Sequence, residues 1–300
     1  MDPREIRLPS PKRLAAEFGL EQRRRLGQCY LANARTLNSI VVAARLDSAI
    51  AVVEIGAGPG YLTARIRRRT PRVWAIEIDD RFRPVHEHYF AGLDPPVHFL
   101  YEDALRLDWS NLLSEIGGEP YVVMGNIPYQ ITSPLLKLLL NLTPLPQRAV
   151  LLVQREFAQR LVAQPGRRAY GALTAKMALI ARVRQAMFVP RQRFQPRPRV
   201  DAAAIVVEPR RPPLVEPARL GAVFALTDAC FAQRRKKIVN SLYDSGHLGK
   251  NRDRIAALLA QAAIDPSRRP ETLAVEEFLR LSDVVEQSGG RCEQPPDSIA

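Results

Sequence analysis

Cysteine and histidine are scarce in this 300-residue chain, at three and four residues. Cys29, Cys230 and Cys292 cannot pair completely, and neither they nor the histidines show zinc-ligand spacing. The sequence therefore predicts no disulfide framework and no metal. Long apolar runs are missing too: no stretch approaches the roughly 18 residues that a membrane span requires. The N-terminus holds Asp2, Glu5, Glu17 and Glu21 where a transit peptide would be poor in acids. A cytoplasmic protein with no membrane partner is the expectation. Lysine is also rare, supplying six of the 44 basic residues.

What is present is a chain with 46% hydrophobic residues, enough to fill a large core, and a formal charge of +13. Such a balance favours a polyanionic partner through phosphate contacts and counterion release, with RNA or DNA as the natural candidates. A coding bias toward arginine would raise the charge everywhere, whereas here it is clustered. Arg23 to Arg25, Arg67 to Arg69, "RQRFQPRPR" from Arg191 to Arg199 and "QRRKK" from Gln233 to Lys237 form separate dense patches.

From about residue 50, short β-branched apolar runs alternate with helical patterns. "AIAVVEI" is followed by "YLTARIRRR", "RVWAIEI", "RFRPVHEHYFAG" and "VHFLYED". That rhythm is βαβαβ. Further strands fit "YVVMGN" and "AVLLVQ", with "PLLKLLLNL" a helix between them and "REFAQRLVAQ" a helix after the second. "AIVVEP" fits a last strand. Near-continuous apolar strands in such alternation predict an α/β fold with a mostly parallel sheet covered on both faces. The proline-rich stretch "EPRRPPLVEP", Glu208 to Pro217, breaks the rhythm and predicts a domain boundary. Beyond it, "LGAVFALTDACFAQRRKKIVNSLY", "NRDRIAALLAQAA" and "AVEEFLRLSDVVEQ" predict a small all-helical domain, followed by a frayed tail. The expected divisions are an N-terminal extension (1–24), an α/β domain (25–209), a helical domain (216–287) and the tail (288–300).

The segment "VVEIGAGPGYLT" ends a strand, passes through Gly56, Gly58 and Gly60, and opens a helix. Glycines there allow a tight turn and close approach of a ligand to the backbone, beside the positive end of a helix. Alone this pattern is weak. Glu77 strengthens it, because an acid ending the second strand is placed to hydrogen-bond the ribose hydroxyls of a nucleoside cofactor. Asp103, in "YEDAL", ends the third strand and is placed to accept from an adenine amino group. NAD(P) and S-adenosylmethionine share this layout, but the chain lacks a hydride-transfer constellation and a second dinucleotide-binding half.

The fourth strand leads into "GNIPYQIT", which suits methyl transfer to an exocyclic amine. An adenine N6 is a poor nucleophile because its lone pair is delocalised into the ring. Two acceptors aimed at its two N–H bonds draw it toward tetrahedral geometry. The Asn126 side-chain oxygen is one, and a backbone carbonyl next to Pro128, held still by the proline, is the other. Tyr129 offers a ring face for the base, and such stacking is worth roughly 1–3 kcal/mol. The enzyme then works mainly by alignment and preorganised dipoles.

On these motifs the chain resembles the ribosomal RNA adenine dimethyltransferases, in particular the KsgA/RsmA (Dim1) branch. "RLGQCYL", "EIGAGPGYLT", "EDAL", "GNIPYQITSPLLKLLL", "LVQREFAQRLVAQPGRRAYGALT", "FQPRPRVDAA", "FAQRRKKIVNSL" and "RPETLAVEEFLRLSD" carry the resemblance, from Arg25 to about Asp283. It implies a Rossmann-like class I S-adenosylmethionine-dependent methyltransferase that dimethylates two adjacent adenosines in a hairpin loop near the 3′ end of small-subunit rRNA. Partners implied are that rRNA or an immature small subunit, with a role in its biogenesis, and a monomer is expected. By motif position, Gly56, Gly58, Glu77, Asp103 and Asn126 would hold the cofactor, joined by Cys29 and Leu31 of the leading segment. The family usually has Asn or His at the position of Cys29, so only a backbone contact would carry over there.

Phe194 resembles the family's second aromatic, which would stack on the adenine face opposite Tyr129. The catalytic set is then Asn126, Pro128, Tyr129 and Phe194. Arg23, Arg24, Arg25, Arg197 and Arg199 are candidate RNA contacts, as are Arg234, Arg235, Lys236 and Lys237 on a helix that also carries Phe231 and Leu242. The four histidines are read as structural or surface residues. Two other readings stay open: a large-subunit (23S) rRNA adenine methyltransferase of the antibiotic-resistance type, and a ribosome-assembly factor without catalysis.

Overall fold

The computed structural model describes residues 6–20, 28–118 and 120–289. Arg23, Arg24, Arg25, Cys292 and most of the tail lie outside the described residues. The chain divides into two compact units, residues 1–158 with 184–209, and residues 159–183 with 210–300.

The first unit begins with α1 (Pro11–Glu17), capped by the Ser10 hydroxyl and started by proline, and with the short strand β1 (Tyr30–Leu31). Helix α2 (Ala34–Ala43) follows, its first turn held by Asn33, whose side chain accepts from Thr36 N–H at 3.1 Å. Then come β2 (Ala51–Ile55), α3 (Thr63–Ile66), β3 (Val73–Ile76), α4 (Arg83–Phe90) and β4 (His98–Leu100). Helix α5 (Trp109–Ile116) starts on the Asp108 cap and stops at Gly117, whose left-handed backbone closes the last turn. Strand β5 (Tyr121–Asn126), α6 (Thr132–Leu139), β6 (Arg148–Gln154) and α7 (Arg155–Leu161) continue the alternation.

Seven strands form one sheet in the order β4-β3-β2-β5-β6-β9-β7, where β7 is Ala181–Val189 and β9 is Ala202–Pro209. Strands β4, β3, β2, β5 and β6 are parallel to their neighbours, and β9 inserts antiparallel to β6. The central strands β2, β3 and β5 are buried on both faces and apolar apart from Glu54 and the terminal Asn126, as a covered parallel sheet requires. The strand order reverses direction at β2 and β5, so the crevice beyond their carboxyl ends is where an open α/β sheet binds its ligand. Outside the sheet, β1 pairs antiparallel with β8 (Phe194–Gln195), Leu31 opposite Phe194.

The second unit contains α8 (Ala172–Ile180), α9 (Pro217–Phe231), α10 (Ile238–Ser245), α11 (Arg252–Gln261) and α12 (Val275–Gln287). Its core includes Leu226, Ile255, Leu259, Phe278 and Leu281, all fully buried or nearly so. Tyr170 donates its hydroxyl to the Leu273 carbonyl at 2.9 Å, and Leu179 of α8 packs with Val223 of α9. These contacts group 159–183 with the helices, whereas the sequence reading counts them in the α/β domain.

Several elements, among them α2, α5 and α8, are absent from the sequence reading, and two further elements differ from it. Strand β7 carries Arg182, Arg184 and Gln185 on an edge, exposed, and so lacks the apolar run by which the other strands announce themselves. The helix expected across residues 220–243 is broken: "QRRKK" lies in the turn between α9 and α10, with Lys237 extended. The break is fixed by Gln233 N–H donating to the Ser241 hydroxyl at 2.9 Å and by Ile238 entering the core. Among the described residues no helix is long and apolar enough to cross a membrane, and no cluster of His, Cys, Asp and Glu could hold a metal ion.

Candidate active site

At the strand-order reversal, Ile55 of β2 lies opposite Gly125 of β5, and each chain turns out of the sheet one residue later. A Cβ on Gly125 would lie 2.3 Å from the Ile55 carbonyl oxygen, inside any tolerable contact. Glycine at 125 is therefore what lets the two strand ends approach. Gly56 has φ +75° and passes so close to the Asn126 carbonyl that an added Cβ would meet it at 3.2 Å. Glycine loop and catalytic motif are thus packed backbone against backbone.

The loop is tied to the next strand end through Glu77. Its two carboxylate oxygens accept from Gly58 N–H at 2.7 Å and Asp79 N–H at 2.9 Å. Burial pushes the Glu77 carboxyl up, against these hydrogen bonds, which favour the anion. Asp79, fully buried, accepts from the Arg81 guanidinium at 2.6 and 2.8 Å and from the Gln28 amide at 2.7 Å. The Arg81 hydrogen bonds hold its carboxyl at about 2. Asp103 accepts from Leu105 N–H at 3.0 Å, which turns the chain after β4.

Asn126 donates its side-chain amide to the Cys29 carbonyl at 2.9 Å. A carbonyl can only accept, so this bond decides which end of the amide is nitrogen and leaves the Asn126 side-chain oxygen as an acceptor with no donor among the described residues. Cys29 acts here through its backbone, which explains how a family position with Asn or His can be a cysteine. Burial raises its thiol, so it is no ready nucleophile. The Pro128 carbonyl already accepts from Ile131 N–H at 3.1 Å, whereas the Ile127 carbonyl has no donor among the described residues. Tyr129 is half-buried, and desolvation pushes its phenol up to about 12, so the ring is neutral at physiological pH.

One cavity of about 270 Å³ is lined by every residue singled out above for catalysis or cofactor binding, Phe194 among them at 6% exposure. Phe194 therefore both packs into the core and presents an atom surface to the cavity. The ribbon of β1 and β8 brings it there, opposite Leu31. The sequence reading passed over Gly125, Gln28 and Glu54, which share this cavity. Gly125 could have been found from the close pairing of β2 and β5; Gln28 carried no signal.

Glu54 is 1% exposed, and burial pushes its carboxyl up to about 8, against hydrogen bonding from Thr63. Glu54 gives the cavity wall a carboxyl beneath the glycine turn, and Gly56 puts no side chain into the space. Glu77 and Asp103 add acceptors suited to ribose hydroxyls and an adenine amino group. The residues present thus fit S-adenosylmethionine.

Sheet order, switch-point cavity, glycine loop and terminal acids together define a class I S-adenosylmethionine-dependent methyltransferase. The chain matches the sequence model of the ribosomal RNA adenine dimethylase family over residues 19–287 and belongs to that family. It is 36% identical over 276 residues to a ribosomal RNA small subunit methyltransferase A from Anoxybacillus flavithermus, covering 91% of this chain and 93% of that protein. A protein of the same name from Bacillus mycoides is 36% identical over 278 residues, covering 91% and 94%. Among solved structures, a dimethyladenosine transferase from Plasmodium falciparum superposes with a TM-score of 0.69 at 27% identity, covering 86% of this chain and 98% of that one. The 23S rRNA methyltransferase ErmE superposes at 0.68 with 28% identity, covering 86% and 100%.

The basic residues divide. Arg197 and Arg199 are exposed between β8 and β9. Arg234, though exposed, is engaged within the chain: its guanidinium donates to the Arg168 carbonyl, to the Tyr170 carbonyl at 2.9 Å and to Glu271 at 3.3 Å. Lys236 pairs with Asp244 at 2.9 Å. Arg235 and Lys237 are exposed beside them.

Proposed function

We propose that this protein methylates the N6 amines of two adjacent adenosines in a hairpin loop near the 3′ end of small-subunit rRNA, two methyls on each. It acts in the cytoplasm, as a monomer, on an immature small subunit. The observation that carries the reading is the Asn126 amide, locked by Cys29 so that its oxygen faces outward as an acceptor. That oxygen and the Ile127 carbonyl, stiffened by Pro128, take the two N–H bonds of the target amine and turn its lone pair toward the methyl donor.

Tyr129 and Phe194 form the walls of the base slot. With its phenol pushed up to about 12, Tyr129 serves as a ring face and not as a base. Gly56, Gly58, Glu77 and Asp103 hold the cofactor, together with backbone groups of Cys29 and Leu31. S-adenosylmethionine supplies an activated methyl on its sulfonium. Each transfer forms one N6–C bond, breaks one S–C bond and releases one amine proton to water. The two adjacent methylation sites require four cofactors per RNA.

The 25–209 region carries the chemistry, and the 216–287 helices with the Arg197–Arg199 loop grip RNA phosphates. Arg235 and Lys237 are the contacts offered by the helical region, since Arg234 and Lys236 hold the turn that presents them. The small-subunit substrate is favoured over the 23S alternative by the higher identity of the relatives named for the small subunit. A non-catalytic assembly factor would have no use for an acceptor pair held in place.

Asn126→Ala tests the reading. It is expected to lower methyl transfer by about 100- to 1,000-fold, the usual cost of removing one preorganised group, while leaving subunit binding unchanged. Wild-type turnover in the variant would defeat the acceptor-pair mechanism.

A further inference from the structure

His86, on α4, is 2% exposed and has no place in the chemistry above. Its Nε2 lies 2.8 Å from the Gly58 carbonyl and its Nδ1 lies 2.8 Å from the Tyr101 hydroxyl. The Gly58 carbonyl only accepts, so Nε2 carries the hydrogen and Nδ1 is bare. Tyr101 must then donate to Nδ1. The ring is held flat by stacking on Phe99, with centroids 3.8 Å apart and planes 10° apart, and it meets the edge of Phe90 at 6.1 Å. Arg83 lies over the Tyr101 ring at 4.0 Å from its centroid. Burial, with Arg83 nearby, holds the imidazole down at about 4, in keeping with a neutral ring.

Of the two groups that His86 touches, one lines the cofactor cavity and the other leads into a different wall of it. Gly58 is the centre of the glycine turn, and Tyr101 directly precedes Glu102 and Asp103, which line the cavity at the end of β4. Gly58 is also gripped from the other side, because its N–H donates to Glu77 at 2.7 Å. The two peptide units that flank the Gly58 Cα are thus held by a carboxylate and an imidazole from separate elements.

We propose that His86 is a positioning residue for the cofactor: its Nε2–H fixes the Gly58 carbonyl, Tyr101 sets the tautomer, and the pair locks the glycine turn to the Asp103 wall. It raises cofactor affinity and leaves the methyl-transfer step untouched. The inference rests on the methyltransferase reading. A hydrophobic residue of similar bulk would fill the same space but could not donate to Gly58.

Binding of S-adenosylhomocysteine, measured by calorimetry without RNA, tests it. His86→Leu is expected to weaken binding about three- to tenfold, the worth of one hydrogen bond. His86→Gln, whose amide nitrogen sits the same number of bonds from the backbone as Nε2, is expected to restore most of that loss. Tyr101→Phe costs about twofold. In turnover, His86→Leu raises the KM for the cofactor and leaves kcat at saturation unchanged. NMR of the wild-type ring, assigned by its disappearance in His86→Gln, is expected to show a neutral imidazole protonated at Nε2. A ring protonated at Nδ1 overturns the proposal, as does His86→Gln binding more than tenfold worse than wild type. Should His86→Leu fail to fold, these two measurements decide. Equal affinity in wild type and His86→Leu also overturns it, whereas a wild-type protein that binds no S-adenosylhomocysteine defeats the methyltransferase reading itself.

Discussion

The glycine turn at residues 56–60 and the basic turn at residues 233–237 are both dense local motifs, yet they use their residues in opposite ways. In the first, function is carried by backbone. The Gly58 N–H and carbonyl and the Cys29 carbonyl that orients Asn126 are main-chain groups held by side chains, and the Gly125 gap is a main-chain feature of strand pairing. In the second, function is carried by side-chain charge, and half of that charge is already paired within the chain. Arg234 and Lys236 hold the turn while Arg235 and Lys237 face outward. A backbone-built site tolerates a change such as cysteine at position 29, whereas a charge-built one depends on which charges are already paired.

The largest effect on that contrast is expected from Gly125→Ala. With Ile55 O at 2.3 Å and Ile127 Cδ1 at 2.8 Å from the added Cβ, β2 and β5 must part. A stability loss of about 1–3 kcal/mol in denaturant titration is expected, with loss of cofactor binding. A variant with unchanged stability and affinity would break the claim that strand packing builds the site.

Next comes the pair Arg234→Ala and Arg235→Ala. The first is expected to lower the melting temperature by about 2–4 °C, because it removes hydrogen bonds to two carbonyls and an ion pair. The second should leave melting unchanged and reduce the salt slope of RNA binding by about one, as loss of one phosphate contact does. Identical behaviour of the two variants would remove the distinction between spent and free charge.

Smaller effects concern pH. His86 is held near 4 when folded, against about 6.5 when unfolded, so the unfolded chain takes up the proton first. Its contribution to stability is complete above pH 6.5 and declines as pH falls toward 4. Glu54 is raised to about 8, so its folded form prefers the neutral acid and stability declines as pH rises from about 4.5 to 8. Stability curves measured against pH should lose the acid-side slope in His86→Gln and the alkaline-side slope in Glu54→Gln.

Much of the α/β architecture was legible because buried parallel strands must be largely apolar on both faces, as "YVVMG" is and as "AVVEI" is apart from Glu54. Gly56, Glu77 and Asn126 were legible because each ends a strand next to the place where the order reverses. Strand β7 was not, since an exposed edge permits Arg182 and Arg184. The break between α9 and α10 was hidden because Phe231, Ile238 and Leu242 keep helical spacing across a turn that only the Gln233–Ser241 bond reveals. His86 was illegible because its partners lie 28 and 15 residues away, joined only when α4 packs beside the glycine turn.

The most direct test of the central claim is to map labelled methyl groups transferred by the purified protein to unmethylated ribosomal subunits. Dimethylation of two adjacent adenosines in the 3′-terminal hairpin of the small-subunit rRNA is the expected result. Label confined to the large-subunit rRNA, or subunit binding without any transfer, would contradict it.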